Sequence, residues 1–182
     1  MKADAAIYII SLFCVMQLIT ILTFFLILPG MPVQGRQKLQ TFDKLAFYNV
    51  MATGSLEDIN GELTIVKEAS IPEKEAYEGA LLMKKAGLLK KAADKLKSFK
   101  AGYIKLESAL KKDSTNSEYH FLRLTIQEHA PRTVKYFKDL KKDRLYIQKT
   151  FKDLSPVIQK IIIDYSNHSK ILHPGDFQIK SS

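Results

Sequence analysis

The sequence predicts an all-α protein, and three observations carry that expectation. Apolar residues recur at three-and-four spacing through most of the chain, explicit helix start and stop signals punctuate it, and β-branched alternation is scarce. Seven helices are expected, arranged as antiparallel hairpins after an N-terminal apolar segment. With 182 residues, 46% of them hydrophobic and 26% charged, the composition excludes both a disordered chain and a multi-span membrane protein.

The first expected helix runs from about Gln37 to Ala52, with Leu39, Phe42, Leu45, Ala46 and Asn49 on one side and Gly54 ending it. Ser55 and Asp58 have the spacing of a capping box, opening a second helix from Leu56 to about Ala69 with Ile59, Leu63 and Val66 inward. Ser70-Ile71-Pro72 reads as the next start, with proline in the first turn. That third helix presents Ala76, Tyr77, Ala80 and Leu81 and stops near Gly87. A fourth, Ala92 to Lys112, presents Leu96, Phe99, Tyr103, Leu106 and Leu110.

The Leu88 to Lys91 connection is short enough to fold the third and fourth helices back on each other. Gly102 and Ala109 lie two turns apart on the fourth, a strip where a neighbouring backbone can approach; a bulky residue at Gly102 should disrupt it and alanine should be tolerated. After the turn-forming Asp113-Ser114-Thr115-Asn116, a fifth helix carries Tyr119, Leu122 and Ile126 up to Pro131. The sixth is expected from Val134 to Phe151 with Leu140, Leu145 and Phe151 inward. The seventh starts at Ser155-Pro156 and uses Ile158, Ile161, Ile162 and Tyr165. This gives a helical domain over 36–168 and a loosely ordered tail over 169–182, on which Phe177 and Ile179 are the side chains able to dock.

From Ala5 to Leu28 the polar side chains are Tyr8, Ser11, Gln17, Thr20 and Thr23, and about 36 Å of helix at 1.5 Å per residue would span a bilayer. Pro29, Gly30 and Pro32 then break it, and Val33-Gln34-Gly35 sets small residues at signal-peptidase spacing. Residues 1–35 are thus a signal peptide, cleaved between Gly35 and Arg36, or an uncleaved membrane anchor, the first being favoured. Either way the body is exported, to the periplasm or a membrane surface. Phe13 beside Cys14, the single cysteine, argues against lipidation there and leaves no intrachain disulfide.

Setting aside residues 1–35 removes Lys2 and Asp4, so the body keeps 27 basic and 18 acidic side chains and the whole excess of +9. Ten lysines fall between Lys84 and Lys112 against Asp94 and Glu107. Such a segment suits either a solvated helix face, the favoured reading, or an acidic partner surface. Arginine and aromatic interleaving of the kind used for nucleic-acid readout is absent, so no nucleic acid is expected.

The catalytic patterns are missing as well. His120, His129, His168 and His173 make no His-Glu-x-x-His set, one cysteine allows no Cys-x-x-Cys pair, and neither a Gly-x-Ser-x-Gly elbow nor a phosphate-binding glycine loop occurs. No cofactor or metal is expected. His120 and His129, about 180° apart on a helix, read as surface histidines. Arg123 stands in the apolar run Phe121-Leu122-Arg123-Leu124, and a buried arginine needs a carboxylate; Glu78, Glu107 and Glu118 are the candidates. The competing role is an anion contact in a dispersed site of Arg123, Glu107, Tyr103 and His120, which would make the chain a small-ligand binder or an enzyme.

Tyr77-x-Gly79-Ala80, Phe99-x-x-Gly102 with Leu106-Glu107-x-Ala109, Asp113-x-x-Asn116-x-Glu118 and the run from Phe121 to Gln127 ending at Pro131 also form a pattern. Over residues 72–151 it resembles uncharacterised exported bacterial helical proteins with degenerate tetratricopeptide-like repeats. The resemblance implies stacked helical hairpins and export, and it implies no activity. Together these readings favour a non-enzymatic interaction or scaffold protein of the cell envelope, binding a protein partner through a groove between helices.

Overall fold

A computed structural model describes residues 41–177. Within them seven α-helices follow one another without a strand: α1 (Lys44–Thr53), α2 (Leu56–Glu68), α3 (Lys74–Leu88), α4 (Ala92–Lys112), α5 (Ser117–His129), α6 (Leu140–Thr150) and α7 (Pro156–Ser166). Three short 3-10 turns lie at Arg132–Val134, Phe151–Asp153 and Pro174–Asp176. The all-α expectation and the helix count hold. The signal or anchor segment, the Gly35–Arg36 cleavage point, Leu39 and Ile179 lie outside the described residues. No described helix is long and apolar enough to cross a membrane.

Side-chain caps fix most helix starts. Asp43 accepts from the Leu45 amide at 2.9 Å, and Asn116 accepts from the Glu118 and Tyr119 amides. Ser55 and Asp58 form the reciprocal capping box their spacing foretold: the Ser55 amide donates to Asp58 at 2.8 Å and the Asp58 amide to Ser55 at 3.2 Å. Ser155 and Pro156 open α7 as expected. α3 departs from expectation, because Pro72 sits in a turn closed by the Lys74 amide on Ile71, and the helix begins only after it.

Antiparallel α3 and α4 pack along most of their length, α2 lies against α3, and α1 touches α2, α3 and α7. α5 enters against α3, α4 and α6 and is enclosed. The core runs continuously through these elements, from Phe47, Ile59 and Tyr77 through Leu81, Leu106 and Leu122 to Ile147, Ile162 and Leu172.

Several inward faces differ from the periodic reading. In α1 Phe47 and Tyr48 are buried while Leu45 and Asn49 are exposed, because Phe47 and Phe42 close on Tyr77 with ring centroids 4.5 and 5.1 Å away. α4 buries Gly102, Leu106, Ala109 and Leu110 and leaves Leu96 and Tyr103 outside. The cause is a backbone crossing: a Cβ built on Gly102 would stand 2.5 Å from the Gly79 carbonyl oxygen and 2.8 Å from the Met83 nitrogen. That contact turns the helix by roughly 60° from the face its apolar residues suggest.

The expected sixth helix is interrupted. Lys135 adopts a left-handed conformation (φ 52°) after the Arg132–Val134 turn, which sends Tyr136 inward, and α6 starts only at Leu140. α6 then faces the core with Asp143 and Ile147, and Leu145 is exposed. Residues 169–177 of the expected tail pack on the body: Leu172 is fully buried and the Phe177 ring lies 4.5 Å from Phe151. Glu128 holds the tail's start, accepting from Tyr165 and Ser169 hydroxyls at 2.7 Å and the Lys170 amide at 2.6 Å.

The crossing corrects the expectation for Gly102. Even one methyl there must displace backbone, so Gly102→Ala will destabilise the fold by about 1–3 kcal/mol in spite of a gain in helix propensity. Gly61 has nothing near its Cβ direction, and Gly61→Ala will stabilise by up to about 1 kcal/mol. Thermal unfolding of the two variants should shift in opposite directions; equal shifts would remove the crossing.

Candidate functional site

Three of the four residues of the candidate cluster meet. α5 supplies His120 and Arg123, one turn apart on a common side; α4 supplies Glu107; α6 adds Asp143; and the loop before α6 adds Tyr136. Tyr103 stays outside the polar network: it is exposed and contributes only its ring, edge-on to Tyr136 at 5.3 Å.

Arg123 grips Asp143 with two parallel hydrogen bonds, Nε to Oδ2 at 2.8 Å and Nη2 to Oδ1 at 2.7 Å, and sends Nη1 to Glu107 Oε2 at 3.2 Å. The Arg123 side chain is 7% exposed and that of Asp143 0%, so the pair is desolvated on both sides. His120 Nδ1 lies 2.7 Å from Asp143 Oδ1, and Nε2 lies 3.0 Å from the Ser114 carbonyl oxygen. The other oxygen of Glu107 accepts from the Tyr136 hydroxyl at 2.6 Å.

The expected carboxylate partner of Arg123 is therefore found once, at Glu107. Glu78 pairs with Lys105 at 2.9 Å, and Glu118 is taken by the Tyr48 and Tyr77 hydroxyls at 3.0 and 2.5 Å and by Lys44 at 2.9 Å. His120, read from sequence as a surface residue, is buried, with Asp143 and the Ser114 carbonyl within hydrogen-bond distance of its two ring nitrogens inside the fold. His129 is the exposed one.

The sequence pattern does not single out Asp143. It sits in Lys141-Lys142-Asp143-Arg144, a charge run that reads as solvated surface, and only the face shared with Ile147 at i+4 hinted otherwise. Tyr136 lay within a stretch assigned to helix and gave no signal of its own.

The electrostatics follow from burial and pairing. Burial alone would raise the Asp143 carboxyl, but the hydrogen bonds from Arg123 and His120 outweigh it and hold the group below its ordinary value. Burial, then the hydrogen bond to Glu107 and its charge, pushes the Tyr136 hydroxyl far above its usual range, so it remains a donor. Burial and Glu118 do the same to Tyr48 and Tyr77.

The arrangement has little chemical freedom. A general base needs an unoccupied nitrogen near a reacting proton, and His120 faces Asp143 on one side and a backbone carbonyl on the other. An anion site needs an exposed guanidinium with donors turned outward, and Arg123 is buried, with each of its three nitrogens already bonded to Asp143 or Glu107. Among the described residues no group of three or more His, Cys, Asp or Glu side chains is placed to hold a metal ion. The cluster ties α4, α5 and α6 together.

Comparison with protein-family profiles, with curated proteins and with solved structures finds no match to this chain.

Two predictions follow from the ion pair itself. Arg123→Ala strands Asp143 without its principal donor and should cost about 3–5 kcal/mol, whereas replacing both Arg123 and Asp143 with apolar residues of similar volume should cost much less. Urea unfolding of the single and double variants measures both; equal losses would mean the pair is not desolvated.

Asp143 also sets an acid limit. Its folded value lies below the unfolded one of about 3.9, so its contribution is present above that pH and fades as pH falls through the folded value. Stability should drop between about pH 5 and pH 2, and the Asp143→Asn protein should show a shallower decline over that window when both are titrated by urea unfolding.

Proposed function

We propose that the chain is a non-enzymatic helical interaction or scaffold protein of the cell envelope, exported to the periplasm or held at a membrane by residues 1–35. The observation that carries this reading is the state of the candidate cluster. Arg123, His120 and Glu107 direct the hydrogen bonds they make to Asp143, Tyr136, Ser114 and one another, within the fold. Recognition therefore falls to the surface of the helical body, where partner-binding modules of stacked hairpins present grooves between helices.

Two further features support it. The apolar run Ala5–Leu28 followed by Val33-Gln34-Gly35 is the pattern of an export signal. The α3–α4 hairpin, crossing at Gly79 and Gly102, is compatible with a degenerate tetratricopeptide-like array, in which small residues let paired helices approach closely.

Fractionation of cells expressing the tagged full chain, with cross-linking before lysis and N-terminal sequencing of the recovered protein, tests the reading. The expected result is envelope recovery in a cross-linked complex, with a mature chain starting at Arg36. A full-length chain carrying Met1 in the membrane fraction would make residues 1–35 an anchor. Uncomplexed recovery from the cytosol would overturn the proposal.

A further inference from the structure

α4 is 21 residues long, and its first six, Ala92–Lys97, are exposed on all sides. Farther along, Lys97, Lys100, Ile104 and Lys111 fall within about 60° of one another on the side opposite the buried Gly102, Leu106 and Ala109. Leu96 flanks this stripe at 66% exposure, and Ile104 stands in its middle at 54%. Leu88, at the adjoining end of α3, is exposed too.

The lysines of α4 and of the connection before it divide into two sets. Lys105 pairs with Glu78 and Lys112 with Glu75, which ties α4 to α3. Among the described residues Lys90, Lys91, Lys95, Lys97, Lys100 and Lys111 make no ion pair and are all exposed. Neither acidic residue of α4 lies on the stripe: Asp94 is about 100° away from its centre, and Glu107 is turned to Arg123 and Tyr136. The result is an uncompensated positive face studded with single apolar side chains.

We infer that this face of the α3–α4 hairpin docks on a bilayer rich in anionic lipid headgroups. Lysine ammonium groups are attracted to a negative lipid surface without needing a shaped complementary site, and isolated Leu and Ile side chains can enter the headgroup boundary between them. An acidic protein partner would call instead for a continuous apolar groove or for arginine forks, and the stripe has neither. In a chain that retains residues 1–35 the apolar segment Ala5–Leu28 adds a second membrane signal, and in the cleaved chain the lysine face alone meets the bilayer, reversibly. This inference rests on the envelope reading and adds the surface that meets the membrane.

The test uses the full chain with Cys14→Ser and a single label site, Ile104→Cys, carrying an environment-sensitive fluorophore. The protein is reconstituted with phosphatidylcholine vesicles or with the same vesicles containing phosphatidylglycerol. A blue shift in the anionic vesicles alone is expected, reversed by about 0.5 M salt, with no response from a control label at Glu57→Cys on α2. Each lysine should contribute about fivefold to the docking equilibrium, so Lys97→Glu, Lys100→Glu and Lys111→Glu together should abolish the shift. Circular dichroism of that variant should be unchanged, since these side chains make no ion pair in the described fold.

An equal response in both vesicle types, or none in either while the chain still co-sediments, overturns the docking face and leaves the envelope reading standing. Failure to co-sediment with either vesicle also overturns the docking face, while the envelope reading is decided separately by the cell fractionation. A response to soluble polyglutamate without one to anionic lipid overturns the lipid assignment in favour of an acidic polypeptide.

Discussion

The fold depends on how α5 is made tolerable inside it. Ten of the thirteen residues of this helix are buried, and five of those ten are polar or charged: Ser117, Glu118, His120, Arg123 and Gln127. A helix enclosed on all sides is ordinarily apolar all round, because an unpaired polar group in the interior costs about 1–3 kcal/mol and an unpaired charge more. Here each of these five side chains meets a partner on a neighbouring element. Glu118 binds α1 and α3, His120 and Arg123 bind α6 and, through Glu107, α4, and Gln127 exchanges hydrogen bonds with Asp139 at the start of α6.

Pairing of this kind adds less net stability than its short distances suggest, since both charges of Arg123 and Asp143 lose their water. Its stronger effect is on selection among packings. Apolar contacts would accept several rotations of α6 against α5, but only one of them brings Asp143 under the guanidinium while keeping Ile147 in the core. The same holds at the other end of α5, where two tyrosine hydroxyls and one ammonium converge on Glu118. Chain segments far apart in sequence are placed by these few atoms, and the aliphatic core then fills the space between them.

Legibility in the sequence tracks the range of the interaction. α2, α5 and α7 were readable because their signals are local: Ser55 with Asp58, Asn116, and Ser155 with Pro156 all act within one turn. The core stripe of α2 and that of α3 from Ala76 to Leu81 were readable for the same reason. The face of α4 was not, since it is decided by a backbone contact with Gly79, and apolar periodicity carries no record of which glycine faces which. Arg123 could be singled out as a buried cation needing a carboxylate, and Glu107 was among the candidates. Asp143 escaped because its neighbours Lys141, Lys142 and Arg144 are what a solvent-facing turn would carry. His120 was misplaced for a related reason: its burial is set by Asp143 and the Ser114 carbonyl, one of them 23 residues away.

The crossing of α3 and α4 has a mechanical meaning. Where two helices meet through long side chains, rotamer changes let one slide past the other in small steps, which is the basis of shear motion in packed bundles. At Gly79 and Gly102 the backbones themselves meet, with the Met83 and Leu106 side chains beside them, and the carbonyl of each glycine occupies the space a Cβ on the other would need. Sliding by a residue would drive the flanking Glu78 and Ala80 or Ala101 and Tyr103 into opposing main chain. The crossing therefore favours one register of the hairpin and resists sliding of α4 along α3.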